Sequence, residues 1–346
     1  MVHDPSARSA GHVHRYSVGV RRQPAVWNYR DGACSYEARG SSEYDHRLPA
    51  CRASGGGGGW KHHPGAGVNY GNSALPAVAN PGVHCESELM MSAGSPPRIA
   101  IPMPHSTDLE YAERSIPQYE NAVRLAGGEP VRVALDLSTA DVARIIENCD
   151  GVLLPGSKAD VDPAKFGAKR SPHTADADSL REKVDELMLE DAYRSYKPIL
   201  GICYGLQSLN VYREGTLIQH IPDFLPQDLR MRVDHEAGRK VEVAHEVKLL
   251  PDSKLAGTLG KGETVFGVNS SHHQSADLVG AGLRIVGLCA EDGIVEALEG
   301  TDPGHFVIAV QWHPERSVDN DAPSRAIFRA LVEAARERRG QLKSSS

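Results

Sequence analysis

The segment Gly201-Ile202-Cys203-Tyr204-Gly205 has residue types and spacing that suit a thiol nucleophile. Its pattern is G-x-C-x-G, after an apolar run and before a predicted helix, which is the arrangement of a nucleophile elbow. Such a turn strains its central residue, and a Cβ at either glycine would collide with neighbouring backbone. The N-terminus of the following helix would favour the thiolate. A buried core cysteine with incidental glycines fits this short motif equally well, so the catalytic interpretation needs a partner residue.

A candidate partner is the segment AVQWHPE, residues 309–315, which ends another apolar run. His313 and Glu315 are two positions apart, so an extended chain would place both side chains on one face. Pro314 restricts His313 to extended geometry. The segment can thus supply a base and a carboxylate that orients it, as thiol nucleophiles require. The alternative is a surface histidine and glutamate in a loop.

Secondary-structure elements must position these residues. From Arg98 onward, short apolar runs alternate with helical patterns, which indicates βαβ units and a mostly parallel sheet. We predict an α/β fold, a three-layer sandwich with a mostly parallel central sheet, flavodoxin-like, and a small antiparallel extension. Ligands of such sheets bind at the carboxyl edge. The predicted strands and helices are, in order, RIAIPM (98–103), a helix from near Pro117 to Ala126, VRVAL (131–135), a helix over 139–148, GVLLPG (151–156), a helix over 178–196, PILGIC (198–203), the strands KVEVAHEVKL, TVFGVN, LRIVGLC, IVEALE and FVIAVQ, and a helix over 324–338.

The first part of the chain, residues 1–96, shows no sustained apolar period and contains a GGGGG run. We predict that it is a disordered low-complexity segment, and that residues 97–340 form the α/β domain. A native start at Met90 or Met91 is a sharper hypothesis, since a clear strand begins soon afterwards. The KHHPG segment at 61–65 could hold a metal ion only loosely.

Composition narrows the class of protein. The chain has 346 residues and a net charge of −7, which argues against a broad nucleic-acid-binding surface. No apolar stretch approaches the roughly 20 residues of a membrane helix, and no secretory signal is present. The six cysteines form no CxxC pair, which argues against disulfides and structural zinc. We therefore expect a soluble, cytoplasmic protein with free thiols.

Four motifs in order, LLPGS, GICYGLQSLN, VNSSHHQ and AVQWHPE, resemble the class I glutamine amidotransferase family over about residues 98–335. Within that family the chain most resembles the peptidase C26 branch, which contains gamma-glutamyl-gamma-aminobutyrate hydrolases. The DVDP segment at 160–163 and the SSHHQ string favour this branch. The resemblance implies hydrolysis of a gamma-glutamyl amide through a glutamyl thioester, with no metal or organic cofactor.

The resemblance also implies the site residues. The catalytic triad would be Cys203, His313 and Glu315, in agreement with the motifs above. An oxyanion hole would use the backbone N–H of Tyr204 and that of Gly156 or Ser157, and one such donor is worth roughly 3 kcal/mol. The substrate-binding residues would be Gln207, Asn269, Ser270, His272 and His273. Neighbouring side chains of an extended chain point to opposite faces, so His272 and His273 should not share a metal ion.

Departures from the family pattern concern the substrate. Tyr204 stands where the family often has arginine, and Ser157 follows the LLPG turn where a second glycine is common. The leaving amine therefore stays open: gamma-aminobutyrate, an amine from polyamine catabolism or a polyglutamyl tail. Two other functions stay open, a glutaminase that supplies ammonia to a partner synthase and a non-enzymatic binding protein. A homodimer is the default expectation for the assembly.

Overall fold

The computed structural model describes residues 26–30, 33–37, 95–260 and 264–344. The chain divides into two units, Met1–Pro81 and Gly82–Ser346. In the first unit, β1 (Val26–Arg30) and β2 (Ala33–Glu37) form an antiparallel pair, which the sequence analysis did not predict. The other predictions for residues 1–94, including a metal at 61–65 and a start at Met90 or Met91, lie outside the described residues.

The second unit contains a nine-stranded sheet whose first half is parallel, as predicted. Its strands lie in the order β4-β3-β5-β6, with helices between them in the chain. The elements are β3 (Arg98–Pro102), α1 (Leu109–Leu125), β4 (Glu129–Val133), α2 (Thr139–Glu147), β5 (Gly151–Leu154), α3 (Ser179–Ser195), β6 (Ile199–Ile202) and α4 (Tyr204–Tyr212).

The second half of the sheet begins with β13, which pairs with β6 in parallel. Its remaining strand pairs are antiparallel. Beyond β13 the order is β12-β11-β8-β9, so the predicted antiparallel extension amounts to four strands of the same sheet. The elements are β7 (Leu217–Ile218), α5 (Ile221–Phe224), β8 (His245–Leu249), α6 (Lys254–Leu259), β9 (Val265–Val268), β10 (Ser275–Ala276), β11 (Leu283–Cys289), β12 (Val295–Gly300), β13 (Val307–Val310) and α7 (Ala322–Ser344).

Helices cover both faces of the sheet, which confirms the three-layer architecture. Ile99 and Ile101 of β3 join one apolar cluster with residues of α1 and α7, whereas Ala100 joins a second cluster with residues of α2 and α3. Alternate residues of a strand thus face opposite layers. Within the described residues, no helix is both long and apolar enough to cross a membrane.

The start of α1 differs from the prediction. The helix begins at Leu109, and Pro117 lies inside it rather than at its first turn. The side chain of Asp108 accepts a hydrogen bond from the backbone N–H of Tyr111 at 3.0 Å, which caps the N-terminus. The cap and the burial of Ala112 and Ile116 stabilise the turns before Pro117. The helix therefore continues through this proline, although proline by itself is unfavourable inside a helix.

Candidate active site

Cys203 occupies a strained turn between β6 and α4. Its φ is +52°, in a region that residues other than glycine rarely adopt. A Cβ at Gly201 would lie 2.8 Å from the carbonyl oxygen of Gly205, and one at Gly205 would lie 2.2 Å from that of Leu154. The predicted reason for both glycines, collision with neighbouring backbone, is therefore confirmed.

The parallel pairing of β6 with β13 brings the two predicted chemical segments to the same edge of the sheet. Ile202 is the register partner of Val310, and the backbone N–H of Cys203 donates to the carbonyl of Val310 at 2.8 Å. His313 follows β13 by three residues, so it leaves the sheet beside the cysteine. Residues that are far apart in the chain thus meet at the carboxyl edge, where open α/β sheets bind ligands.

His313 is held at both its ring and its backbone. Its Nδ1 lies 2.9 Å from Oε1 of Glu315. The side chain of Asn269 accepts from the backbone N–H of His313 at 3.0 Å and donates to its carbonyl at 2.9 Å. The chain is not simply extended here, because Pro314–Arg316 forms a 3-10 turn. The predicted contact between the imidazole and the carboxylate is present, but a tight turn produces it.

Gly156 lies between the cysteine and the histidine. A Cβ at this position would be 2.9 Å from Cε1 of His313 and 3.6 Å from Cβ of Cys203. The backbone N–H of Gly156 donates to the hydroxyl of Tyr119 at 3.1 Å, and the hydroxyl of Ser157 accepts from the backbone N–H of Ala159 at 3.1 Å. The predicted LLPGS turn therefore contacts both reactive segments.

The charges of the site follow from its burial, since Cys203 is only 5 % exposed and His313 only 4 %. Burial raises the pKa of Cys203 to about 12, against a lowering by the Arg316 guanidinium. Burial also lowers the pKa of His313, which keeps the imidazole neutral. Burial alone would raise the pKa of Glu315, but His313 and Arg316 outweigh it and lower that pKa. The site therefore contains a neutral thiol, a neutral imidazole and a carboxylate.

The expected preference for the thiolate, based on the helix N-terminus, is opposed by this desolvation. The backbone N–H of Tyr204 does lower the pKa of Cys203, but burial has the larger effect. Transfer of the thiol proton to a neutral imidazole during attack is the chemistry that suits such a pair.

Two buried residues that the sequence analysis missed support the turns. Arg181 of α3 is fully buried, donates to the carbonyls of Pro104 at 3.1 Å and Pro155 at 2.6 Å, and pairs with Asp185 at 2.7 Å. Its guanidinium lies 4.7 Å from the centre of the Tyr204 ring. The signal that could have identified Arg181 is its Asp partner four residues later on a predicted helix.

The side chain of Tyr204, which stands where the family often has arginine, is buried. Its ring is 1 % exposed and packs in an apolar cluster with Ala159, Val161 and Val211. The ring packs against Arg181 and is directed into the protein, so it offers little surface to a leaving amine.

Most of the predicted substrate-binding side chains have polar partners within the protein. Gln207 donates to the carbonyl of Gln274 at 3.2 Å and to Oε1 of Gln311 at 3.3 Å, and the Ser270 hydroxyl donates to the carbonyl of His235 at 2.8 Å. Asn269 binds the backbone of His313, as described above. These contacts give the three residues positioning roles.

The adjacent histidines diverge, as predicted. Nε2 of His273 lies 3.1 Å from Oδ2 of Asp160, and its side chain is the only partly exposed one among the five predicted substrate contacts. His272 is buried, and its Nε2 lies 3.4 Å from Oε1 of Glu296. The two imidazoles therefore have different carboxylate neighbours.

The fold is consistent with a glutamine amidotransferase-like hydrolase, and comparison with known proteins supports this class. The profile of the peptidase C26 family matches residues 100–315, and the chain belongs to this family. A protein of Mycobacterium tuberculosis, provisionally named a glutamine amidotransferase, is 37 % identical over 221 residues, which cover 63 % of this chain and 66 % of that protein.

Other relatives carry related names. The gamma-glutamyl-gamma-aminobutyrate hydrolase PuuD of Escherichia coli K12 is 32 % identical over 220 residues, 63 % of this chain and 84 % of the relative. A glutamine amidotransferase-like protein of Rickettsia prowazekii is 32 % identical over 252 residues and covered over 88 % of its length. A protein of Thermoplasma acidophilum, provisionally named as one of the GMP synthase subunits, is similar in fold alone, with a TM-score of 0.50 at 15 % identity over 72 % of this chain and 98 % of that one.

Proposed function

We propose that the protein hydrolyses gamma-glutamyl amides through a glutamyl thioester on Cys203. The observation that carries this proposal is the position of Gly156, where an added Cβ would lie 2.9 Å from Cε1 of His313 and 3.6 Å from Cβ of Cys203. The hydrogen bond between His313 and Glu315 supports it, because that bond leaves Nε2 of the imidazole as the base.

The reaction follows from the neutral resting pair. As Sγ of Cys203 attacks the side-chain carbonyl carbon of the glutamyl group, its proton moves to Nε2 of His313. The imidazolium is stabilised by Glu315, and the oxyanion is stabilised by the N–H of Tyr204 with that of Gly156 or Ser157. His313 then returns the proton to the leaving amine. Water activated by His313 attacks the thioester and releases glutamate, which restores the thiol.

The Gly156 donor requires one rearrangement, since its N–H already donates to Tyr119. The tyrosine hydroxyl occupies a position next to both reactive segments, and the developing oxyanion would compete with it for this donor. The backbone N–H of Ser157 is the alternative donor, and it does not take part in this contact with Tyr119.

The substrate would be recognised by its glutamyl head group at the 268–274 loop. Asn269, Ser270, His272 and Gln207 would shape this pocket from behind. His273, half-buried and paired with Asp160, is the member of the set with exposed surface for a direct contact. The likeness to PuuD supports gamma-glutamyl-gamma-aminobutyrate as the first substrate to try.

Glutamate release from a panel of gamma-glutamyl amides, from free glutamine and from an alpha-linked glutamyl amide tests the proposal. We expect hydrolysis of gamma-linked amides and none of the alpha-linked control. Faster hydrolysis of glutamine than of any other amide would favour the glutaminase alternative. No turnover of any substrate, together with no labelling of Cys203 by an alkylating glutamine analogue, would favour a binding protein.

Substitution of the nucleophile completes the test. Cys203→Ala should lower turnover by about 10⁴-fold or more with the melting temperature retained. The matched control is Cys149→Ala, because Cys149 is also buried and its pKa is also raised by burial, to about 11, but it lies at the end of α2. Equal losses in the two variants would contradict the assignment.

A further inference from the structure

Three imidazoles and one carboxylate converge in the interior behind the 268–274 loop. They come from four separate segments: His235 from the loop before β8, His245 from β8, His272 from the 268–274 loop and Glu296 from β12. All four residues are at most 5 % exposed. Buried groups of this kind require compensation, since an isolated buried charge is strongly unfavourable.

The atoms that face the centre of this His3Glu cluster lack hydrogen-bond partners. Oε1 of Glu296 lies 3.4 Å from Nδ1 of His235, from Nε2 of His245 and from Nε2 of His272. Within the described residues, none of these atoms makes a hydrogen bond, and neither does Oε2 of Glu296. The cluster therefore contains buried polar atoms that face one another but form no hydrogen bonds with one another.

The outward nitrogen of each imidazole has an oxygen neighbour. Nε2 of His235 lies 2.9 Å from Oδ2 of Asp292, and Nδ1 of His272 lies 3.0 Å from the carbonyl of Gln274. Nδ1 of His245 lies 3.4 Å from the carbonyl of Glu246. Because a carbonyl can only accept, the ring protons of His245 and His272 sit on these outer nitrogens, and their lone pairs face Glu296. The Asp292 carboxylate likewise accepts from Nε2 of His235. This is the outer arrangement typical of histidines that bind a metal ion.

Three of the six distances between the donor atoms match the edges of a tetrahedral site. Zinc bonds of about 2.0–2.1 Å to nitrogen and oxygen give a tetrahedron with edges of about 3.3–3.5 Å. The three measured nitrogen–oxygen edges are each 3.4 Å, and all four donor atoms lie within 4.8 Å of one another. Imidazole with carboxylate is a donor set that suits Zn²⁺.

We propose that His235, His245, His272 and Glu296 bind a structural Zn²⁺ ion. Four protein ligands close the coordination sphere, so the ion holds the fold and takes no part in the reaction. It ties the 268–274 loop to β8 and β12. Asn269, three residues before His272, holds the backbone of His313, and the ion thereby stabilises the segment that positions the imidazole.

Other groups of candidate ligands fit less well. Cys289 could join His235 with Asp292, but Asp292 already binds His235 and the Cys289 thiol donates to Glu291 at 3.2 Å. A group on the surface, formed by His173, His220 and Asp223, is largely exposed. The His3Glu cluster alone among these combines full burial with unpartnered donors.

The zinc content of the full, untagged chain, measured by inductively coupled plasma mass spectrometry after desalting, tests the proposal. We expect about one zinc per chain in the wild type and less than about a tenth of that in His245→Ala and Glu296→Gln. Two controls should keep their zinc: His173→Ala at the surface group, and the double variant His62→Ala/His63→Ala in the KHHPG segment. Zinc lost from a control but retained in His245→Ala would overturn the proposal.

A second measurement on the wild type applies even if the variants fail to fold. Protein stripped with a chelator is titrated with Co²⁺ alone, and the visible absorption is recorded. We expect intense bands of tetrahedral cobalt at one equivalent, displaced by Zn²⁺, and a melting temperature that Zn²⁺ raises by several degrees. Weak octahedral absorption, or no binding below about 10 µM of either ion, would overturn the proposal. None of these readouts depends on the hydrolase activity.

Discussion

The parallel and antiparallel halves of the sheet use polar residues in different ways. In the parallel half, Cys203 stands on a turn between two glycines, and the pattern of this turn lies within five consecutive residues. In the antiparallel half, the polar centre consists of four buried side chains from segments up to 61 residues apart, His235 to Glu296. Local steric demands determine the first region, whereas only tertiary contacts create the second.

The two regions meet at one loop. Asn269 holds the backbone of His313 beside the cysteine, and His272 reaches into the His3Glu cluster. The candidate site therefore depends on both halves: one holds Cys203 on a strained turn, and the other holds the backbone of His313. The following substitutions separate these contributions.

The largest effect that we expect in this comparison comes from Glu315→Gln. The carboxylate accepts from Nδ1 of His313 and stabilises the imidazolium by its charge. An amide has no such charge, and its NH2 group can donate to Nδ1 and select the wrong tautomer. We predict that kcat/KM falls by about 10³-fold, with near-native thermal stability. A loss of less than tenfold in steady-state kinetics would show that Glu315 does not orient the base.

A steric change at the elbow should come next. Gly205→Ala places a Cβ 2.2 Å from the carbonyl oxygen of Leu154, and such overpacking lowers the free energy of unfolding by about 3 kcal/mol. Gly257→Ala in α6 is the matched control, because nothing lies within 4 Å of its Cβ and a helical Gly→Ala change is stabilising by about 0.5–1 kcal/mol. Equal stabilities of the two variants in urea unfolding would contradict the close approach.

The third prediction separates positioning from substrate contact. Asn269→Ala leaves the buried N–H and carbonyl of His313 without partners, at about 1–3 kcal/mol each. We predict a roughly tenfold lower kcat with KM within about twofold. A raised KM with unchanged kcat would instead make Asn269 a substrate-binding residue, as the family resemblance suggested. Asn148→Ala, at an exposed position, is the control.

The smallest effect should come from Tyr204→Phe. The hydroxyl of Tyr204 is buried without a hydrogen-bond partner within the described residues, so its removal should change stability by less than about 0.5 kcal/mol. We predict that the relative rates for different leaving amines stay within about twofold. A changed order of amines would return Tyr204 to the role that the sequence analysis gave it.

Prediction from sequence succeeded where the cause of a feature was local. The strands and helices of the parallel half, the elbow glycines and the pairing of His313 with Glu315 were predicted, because each depends on a short stretch. Prediction failed where the cause was distant. Arg181 directs the Tyr204 ring inward, and the His3Glu cluster has no spacing that a motif could express. The start of α1 is an exception, because the Asp108 cap that begins the helix is local.

The mechanism is tested most directly by trapping the intermediate on Cys203. Full-length protein is mixed with a gamma-glutamyl amide, quenched in acid within one turnover, and digested for mass spectrometry. The account predicts a glutamyl thioester on the peptide that contains Cys203, and none on those that contain Cys149 or Cys289. Substrate turnover without any adduct on Cys203, or an unreduced rate in Cys203→Ala, would contradict it.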